Sequence, residues 1–294
     1  MNNKKASIVL GWTTAALALI SSGTGLFWQT DSNPFIFNTL YGQTVEIYGQ
    51  GLYRYDTLFK APLLRGTDAV ILFFAIPLLI LALFWARGKH LRGRILLAGV
   101  LSFFVYNVTS LAFGVAYNNL FLLYLVYFPV SLFAFITACL SMDISELNRQ
   151  VSPKFPRRLT GIFLIIAGCS VFVWLLLILE AVFSGEVPHG IDSFATEVTY
   201  FLDLGLIAPT AFLSAYYLFH HKPAGYLLAA IILTLNAMIG PVALSQALMQ
   251  QRAGVLVSLG EQMVFVGVFI LTSLFSTLLL VALLRNIQPQ AEKQ

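Results

Sequence analysis

Apolar residues run along this chain in blocks about as long as a lipid bilayer is thick, and polar residues gather between them. A helix rising about 1.5 Å per residue needs about 20 apolar residues to cross the hydrocarbon core. By that measure the pattern predicts eight transmembrane helices, over 6–28, 66–86, 95–117, 119–142, 159–183, 197–219, 224–250 and 260–284. The connectors 87–94 and 220–223 are short, so spans two and three, and spans six and seven, are expected to be antiparallel hairpins. The fold class expected is an all-α membrane protein, one polytopic domain over 1–294. An outer loop, 29–65, forms a cap, and a cytoplasmic loop covers 143–158.

The two halves repeat each other in outline. Each begins after a basic pair (Lys4–Lys5; Arg157–Arg158) and places an acid near the start of its second span (Asp68; Asp203). A proline follows further along that span (Pro77; Pro209), and an amide sits in the next one (Asn107; Asn236). Counted from the inner span ends at about 1.5 Å per residue, the acids lie about 28 and 26 Å out and the amides about 20 and 18 Å. Four spans per half is an even number, so the expected repeats, 1–142 and 155–286, are parallel and related by an axis along the membrane normal.

Composition agrees with the pattern. Of 294 residues, 59% are hydrophobic and only 10% charged, against roughly 25% charged in soluble chains. Mean hydropathy is +0.84. Charge then sets the orientation. Thirteen of the 17 Lys and Arg residues fall on one side of the eight spans, and only Arg54, Lys60, Arg65 and Arg252 fall on the other. Positive charge marks the cytoplasmic face, so both termini are expected there, in a bacterial inner (plasma) membrane. The pI of about 9.1 follows from inner loops and implies no nucleic-acid partner. The first apolar run is longer than a typical signal core and reads as a retained anchor.

Several chemistries lack their parts. The sequence has no GxSxG, no HExxH, no CxxC and no P-loop. No histidine lies mid-span to hold haem, and no mid-span lysine could form a Schiff base. No cofactor and no metal site are expected. The polar residues inside spans remain, and such groups face a bundle interior or a water-filled cavity. Asp203 and Glu180 stand out, since Glu180 lies at a helix C-terminal end, where the dipole disfavours a carboxylate. Asp68, Glu197 and Glu261 fit the first turns of spans entered from outside. Arg65, three residues before Asp68, can pair with it on one face. Asn107, Ser110, Gly114 and Asn118 make a polar stripe at helical spacing, and Gly240–Pro241 is a kink signal. The aromatic alternation over "YGQGLYRYDTLF" (48–59) fits an interfacial hairpin or short helix, either an aromatic belt or a lid.

"GLYRYDTLFKAPLLRGTD", with "YNVTSLAFGVAYN" downstream, resembles stretches shared by a group of uncharacterised multi-span bacterial membrane proteins. The resemblance is strongest over 51–118 and weaker over 197–241. It implies a bacterial inner-membrane location and carries no activity with it. The residues themselves imply an outward-facing polar site of Asp68, Asn107, Asp203 and Asn236, with Arg65 and Glu180 at its rim. Its partners would be the lipid bilayer and a small molecule or ion. A transporter or ligand-binding membrane protein fits this, as does an accessory subunit bound to a protein partner; an intramembrane enzyme is a third possibility.

Overall fold

The computed structural model describes all residues except 1, 89, 189, 256–258 and 289–294, and at 259 and 261–265 only the backbone. It is an all-α membrane protein with eight helices long and apolar enough to span a bilayer. The elements are α1 (Asn3–Phe27), β1 (Phe35–Asn38), β2 (Thr44–Ile47), α2 (Lys60–Val70), α3 (Ile76–Arg87), α4 (Leu91–Gly114) and α5 (Phe121–Leu140). After a short α6 (Ile144–Gln150) come α7 (Arg157–Ser170), α8 (Val173–Ser184), α9 (Val198–Leu202), α10 (Ala208–Phe219), α11 (Ala224–Arg252) and α12 (Leu259–Asn286). Three spans are composite: α2 with α3, α7 with α8, and α9 with α10. The core sits on α4 and α11, the two most buried spans, which pack on each other.

Two of the composite spans are joined by a π-helical turn, at Ile71–Ala75 and Asp203–Ile207. The cause lies just beyond each turn. Pro77 and Pro209 have no N–H to donate, and each proline ring would strike the carbonyl four residues back. One extra residue in the preceding turn removes that clash.

The two turns also set a common register. Asp203 follows Ile71 by 132 residues (203 − 71), and Pro209 follows Pro77 by the same number. A Cβ on Gly93 would meet the Trp85–Ala86 backbone at 2.6–2.8 Å, and one on Gly225 would meet Tyr217 and Leu218 at 2.9–3.0 Å. These pairs too are 132 apart. Gly66 of α2 abuts the Gln246 backbone of α11, and Val198 of α9 abuts Gly114 of α4, again at the same offset. The helix pairings are reciprocal: α2 packs on α11, and α9 on α4.

The segment between α1 and α2 is ordered, and the helix after it starts at Lys60, earlier than expected. The antiparallel β1–β2 hairpin lies at 35–47, ahead of the aromatic stretch expected to form one. Residues 48–59 fold back on it through Tyr48 N–H to Asp56 O and Leu58 N–H to Glu46 O. Tyr48 and Tyr53 turn inward, while Tyr55 and Phe59 stay exposed. At the opposite end, Ser152 N–H donates to Asn286 O and Gln288 N–H to Gln150 O, fastening the α6 loop to the end of α12.

Candidate functional site

Asp68 lies more than two turns into α2, so the first-turn role expected for it does not hold. Its side chain is 1% exposed. Tyr53 reaches down from the cap and donates its hydroxyl to Asp68 Oδ2 at 2.7 Å, and Ser22 of α1 is a second hydrogen-bond neighbour. Only a glycine fits opposite: a Cβ on Gly25 would collide with Asp68 Oδ2 and lie 2.8 Å from Tyr53 Oη. The Tyr53 phenol itself is held well above its ordinary pKa, by burial first and by the nearby Asp68 carboxyl second. It is therefore a durable donor.

Arg65 does not close an ion pair with Asp68. Its guanidinium turns to the cap, donating to Tyr48 Oη at 2.7 Å and to Leu26 O at 3.0 Å. These bonds spend its donors on tying the end of α1 to the cap. Lys60 and Glu197 form an ion pair, at 3.0 Å.

Asp203 opens the second π-turn and is 9% exposed. It accepts from Tyr106 Oη of α4 and from Trp174 Nε1 of α8, both at 2.9 Å. Trp174 in turn stacks on Tyr200, with ring centres 5.0 Å apart. Asp203 and Asp68 thus have different hydrogen-bond partners, Asp68 in the cap and α1, Asp203 in α4 and α8, so the single site expected to gather them is not built on shared partners. Nor are the acids equivalent. At the 132-residue offset Asp68 matches Tyr200, and Asp203 matches Ile71, so the acids differ by one helical turn. Counted from the inner helix ends at Arg87 and Phe219, Asp68 lies 19 residues out (87 − 68) and Asp203 16 (219 − 203), a difference the depth count read as equality.

Asn107 and Asn236 are buried on the central helices α4 and α11, and Asn107 Oδ1 has no hydrogen-bond partner. Glu180 is exposed near the end of α8. Glu197 does what the dipole argument expected: it caps α9 by accepting from Thr199 N–H. Within the polar stripe of α4, Ser110 donates to the Tyr106 carbonyl, and Asn118 lies beyond the helix end, where it accepts from Leu120 N–H. Glu261 falls outside the described side chains.

Sequence reasoning passed over Tyr53, Tyr106 and Trp174, which meet their acids only through tertiary packing. It also passed over the hydroxyls of α1 and α5. Thr14 and Ser21 are seven residues apart on α1, and Tyr124, Tyr127 and Ser131 are spaced three and four on α5. That helical spacing is the signal that could have found them. Beyond the spans, Asp56 is buried against the α4–α5 connector, accepting from Ala116 N–H at 2.9 Å.

At the capped end the two halves are fastened to each other. Lys60 bridges Glu197 and lies 3.8 Å from the centre of the Phe194 ring. Thr57 donates to Asp192 Oδ2 at 3.0 Å, and Tyr41 to Phe194 O at 3.4 Å.

No family model, no curated protein and no solved structure matches this chain.

Proposed function

We propose that this protein is a transporter of a small polar solute or ion, built from two parallel four-span halves. The capped end would face outward, and both termini would lie in the cytoplasm of a bacterium. The observation that carries the reading is the siting of Asp203. It is a carboxyl inside an apolar bundle, at a proline-driven π-turn, with an indole and a phenol as its donors. Charged groups at such depth serve solute or ion pathways, and π-turns are frequent at functional sites.

The repeat supports the same reading. The common 132-residue offset of turns, prolines and glycine contacts, with the reciprocal packing of α2 on α11 and α9 on α4, is what a two-fold axis along the membrane normal produces. The lipid bilayer and a small molecule or ion are then its partners. An accessory subunit remains the second reading, favoured by the long exposed face of α8, where Ala181 is the buried residue.

The test is uptake into proteoliposomes of a radiolabelled panel of amino acids, sugars, organic cations and inorganic ions. Saturable uptake of one of them is expected, reduced at least about 100-fold by Asp203→Asn with an unchanged gel-filtration profile. Absence of uptake across the panel, with a stoichiometric protein co-purifying from membranes, would replace the transporter with the subunit.

A further inference from the structure

The seam between α1 and α5 contains more than close packing. The helices run antiparallel: Ser21 lies beside Tyr124 near the capped end, and Asn3 reaches the Leu140 carbonyl at the other. Seven residues further in on each helix, Thr14 and Ser131 come to the same level, with Tyr127 between them and Tyr124. The hydroxyls of Thr14, Ser21, Tyr124, Tyr127 and Ser131 are all buried, none more than 2% exposed. By donor and acceptor geometry none of the five is paired, with Ser21 and Asn118 the polar groups standing next to Tyr124. A buried hydroxyl left unpaired costs about 1–3 kcal/mol, so five together on one seam call for a common partner.

We propose that this seam holds a file of water that delivers protons to Asp68. Seven residues of helix extend the row by about 10 Å. Oxygens strung over that distance cannot converge around one desolvated cation, whereas they match a chain of waters, each needing two to four polar partners. Hydroxyls suit the task because each can both donate and accept.

At the outer end of the row sits Asp68, with Tyr53 and Ser22 on it. Beyond it, Gly25, Gln29, Gln50, Tyr53 and Arg65 line a crevice at the capped end too narrow for a water molecule, so that end of the file is closed in this structure. A hydronium in the file passes one proton to the Asp68 carboxylate and becomes water; no other bond changes. The titratable and charged groups facing Asp68 are Arg65 from α2, Tyr53 from the cap, and Tyr124 and Tyr127 from α5. At the inner end the row of unpaired hydroxyls stops at Thr14 and Ser131, so the file reaches only part-way through the bundle. For its purpose, proton coupling, this inference rests on the transporter reading; its chemistry does not.

X-ray hydroxyl-radical footprinting of the full-length protein in nanodiscs tests the water, because radicals form where water is held. Tyr124 and Tyr127 should be modified about ten-fold faster than Phe104, an equally buried ring in the apolar core. Thr14→Val together with Ser131→Val should lower that rate. Infrared spectra during acidification test the proton: a carboxylic C=O band that shifts in D2O should appear in the wild type and vanish in Asp68→Asn. If Asp68→Asn fails to insert, Tyr53→Phe must shift the same band. Labelling of Tyr124 and Tyr127 no faster than of Phe104 would overturn the file. The lack of a D2O-sensitive band from Asp68 would overturn proton binding even with water present. Neither readout depends on uptake, so failure of the transporter reading would be seen separately.

Discussion

Asp56 sits where the cap meets the α4–α5 connector, and one of its carboxylate oxygens, Oδ2, has no partner. Burial is the main cause of a pKa raised to about 7, opposed by the bond from Ala116 N–H and by the Lys60 charge. The groups facing it are Lys60 from α2, Tyr53 from the cap, Tyr124 from α5 and that backbone amide. A folded pKa above the ordinary 3.8 means that the folded state holds this proton more tightly than the unfolded chain. Its stabilisation is therefore complete below pH 3.8 and is lost as pH rises through about 7. The melting temperature should fall over that window, and Asp56→Asn should flatten the fall. An identical slope in the variant would mean that another group titrates. A sequence read for membrane spans cannot isolate Asp56, because it shares its loop with Arg54 and Lys60 and its burial comes from the connector 60 residues on.

Among the elements, the spans are what apolarity makes legible, since lipid demands the same run lengths whatever the packing. Helix ends are less legible. α2 starts at Lys60 because residues 48–59 are tied to the hairpin, and that shift moves Asp68 from a first turn to the interior. The hairpin at 35–47 carries its own signal in the β-branched and aromatic residues around Tyr41–Gly42, but the denser aromatics of 48–59 drew the expectation there. Where elements cross, glycine decides how close they come. A Cβ on Gly66 would lie 2.6 Å from Gln246 Cα, in backbone that cannot yield as a side chain can. Gly66→Leu should therefore cost about 1–3 kcal/mol, read as a lower melting temperature in detergent. Gly205→Leu, in a position with nothing within 4 Å of a Cβ, should leave it nearly unchanged. Equal losses in the two variants would mean that the added bulk of leucine as such, not the α2–α11 crossing, sets the cost.

In the whole molecule the first and second halves of the chain interlock through α4–α11, α2–α11 and α4–α9, and meet again in the latch of Lys60, Glu197 and Phe194. The matching prolines, Pro77 and Pro209, could be picked out from the sequence. The pairing of Asp203 with Trp174 and Tyr106 could not, because it joins three elements far apart in the chain. A transporter must open this latch, with the π-turns as the places where the spans can bend. Spin labels at Gln43→Cys in the cap and Ser184→Cys at the end of α8, both exposed, report across it once Cys139 and Cys169 are replaced by alanine. Pulsed dipolar spectroscopy in nanodiscs should give two distance populations, with Glu197→Gln shifting weight to the longer one. A single narrow distance, the same with and without the Lys60–Glu197 pair, would contradict an opening latch and with it the account of this protein as a transporter.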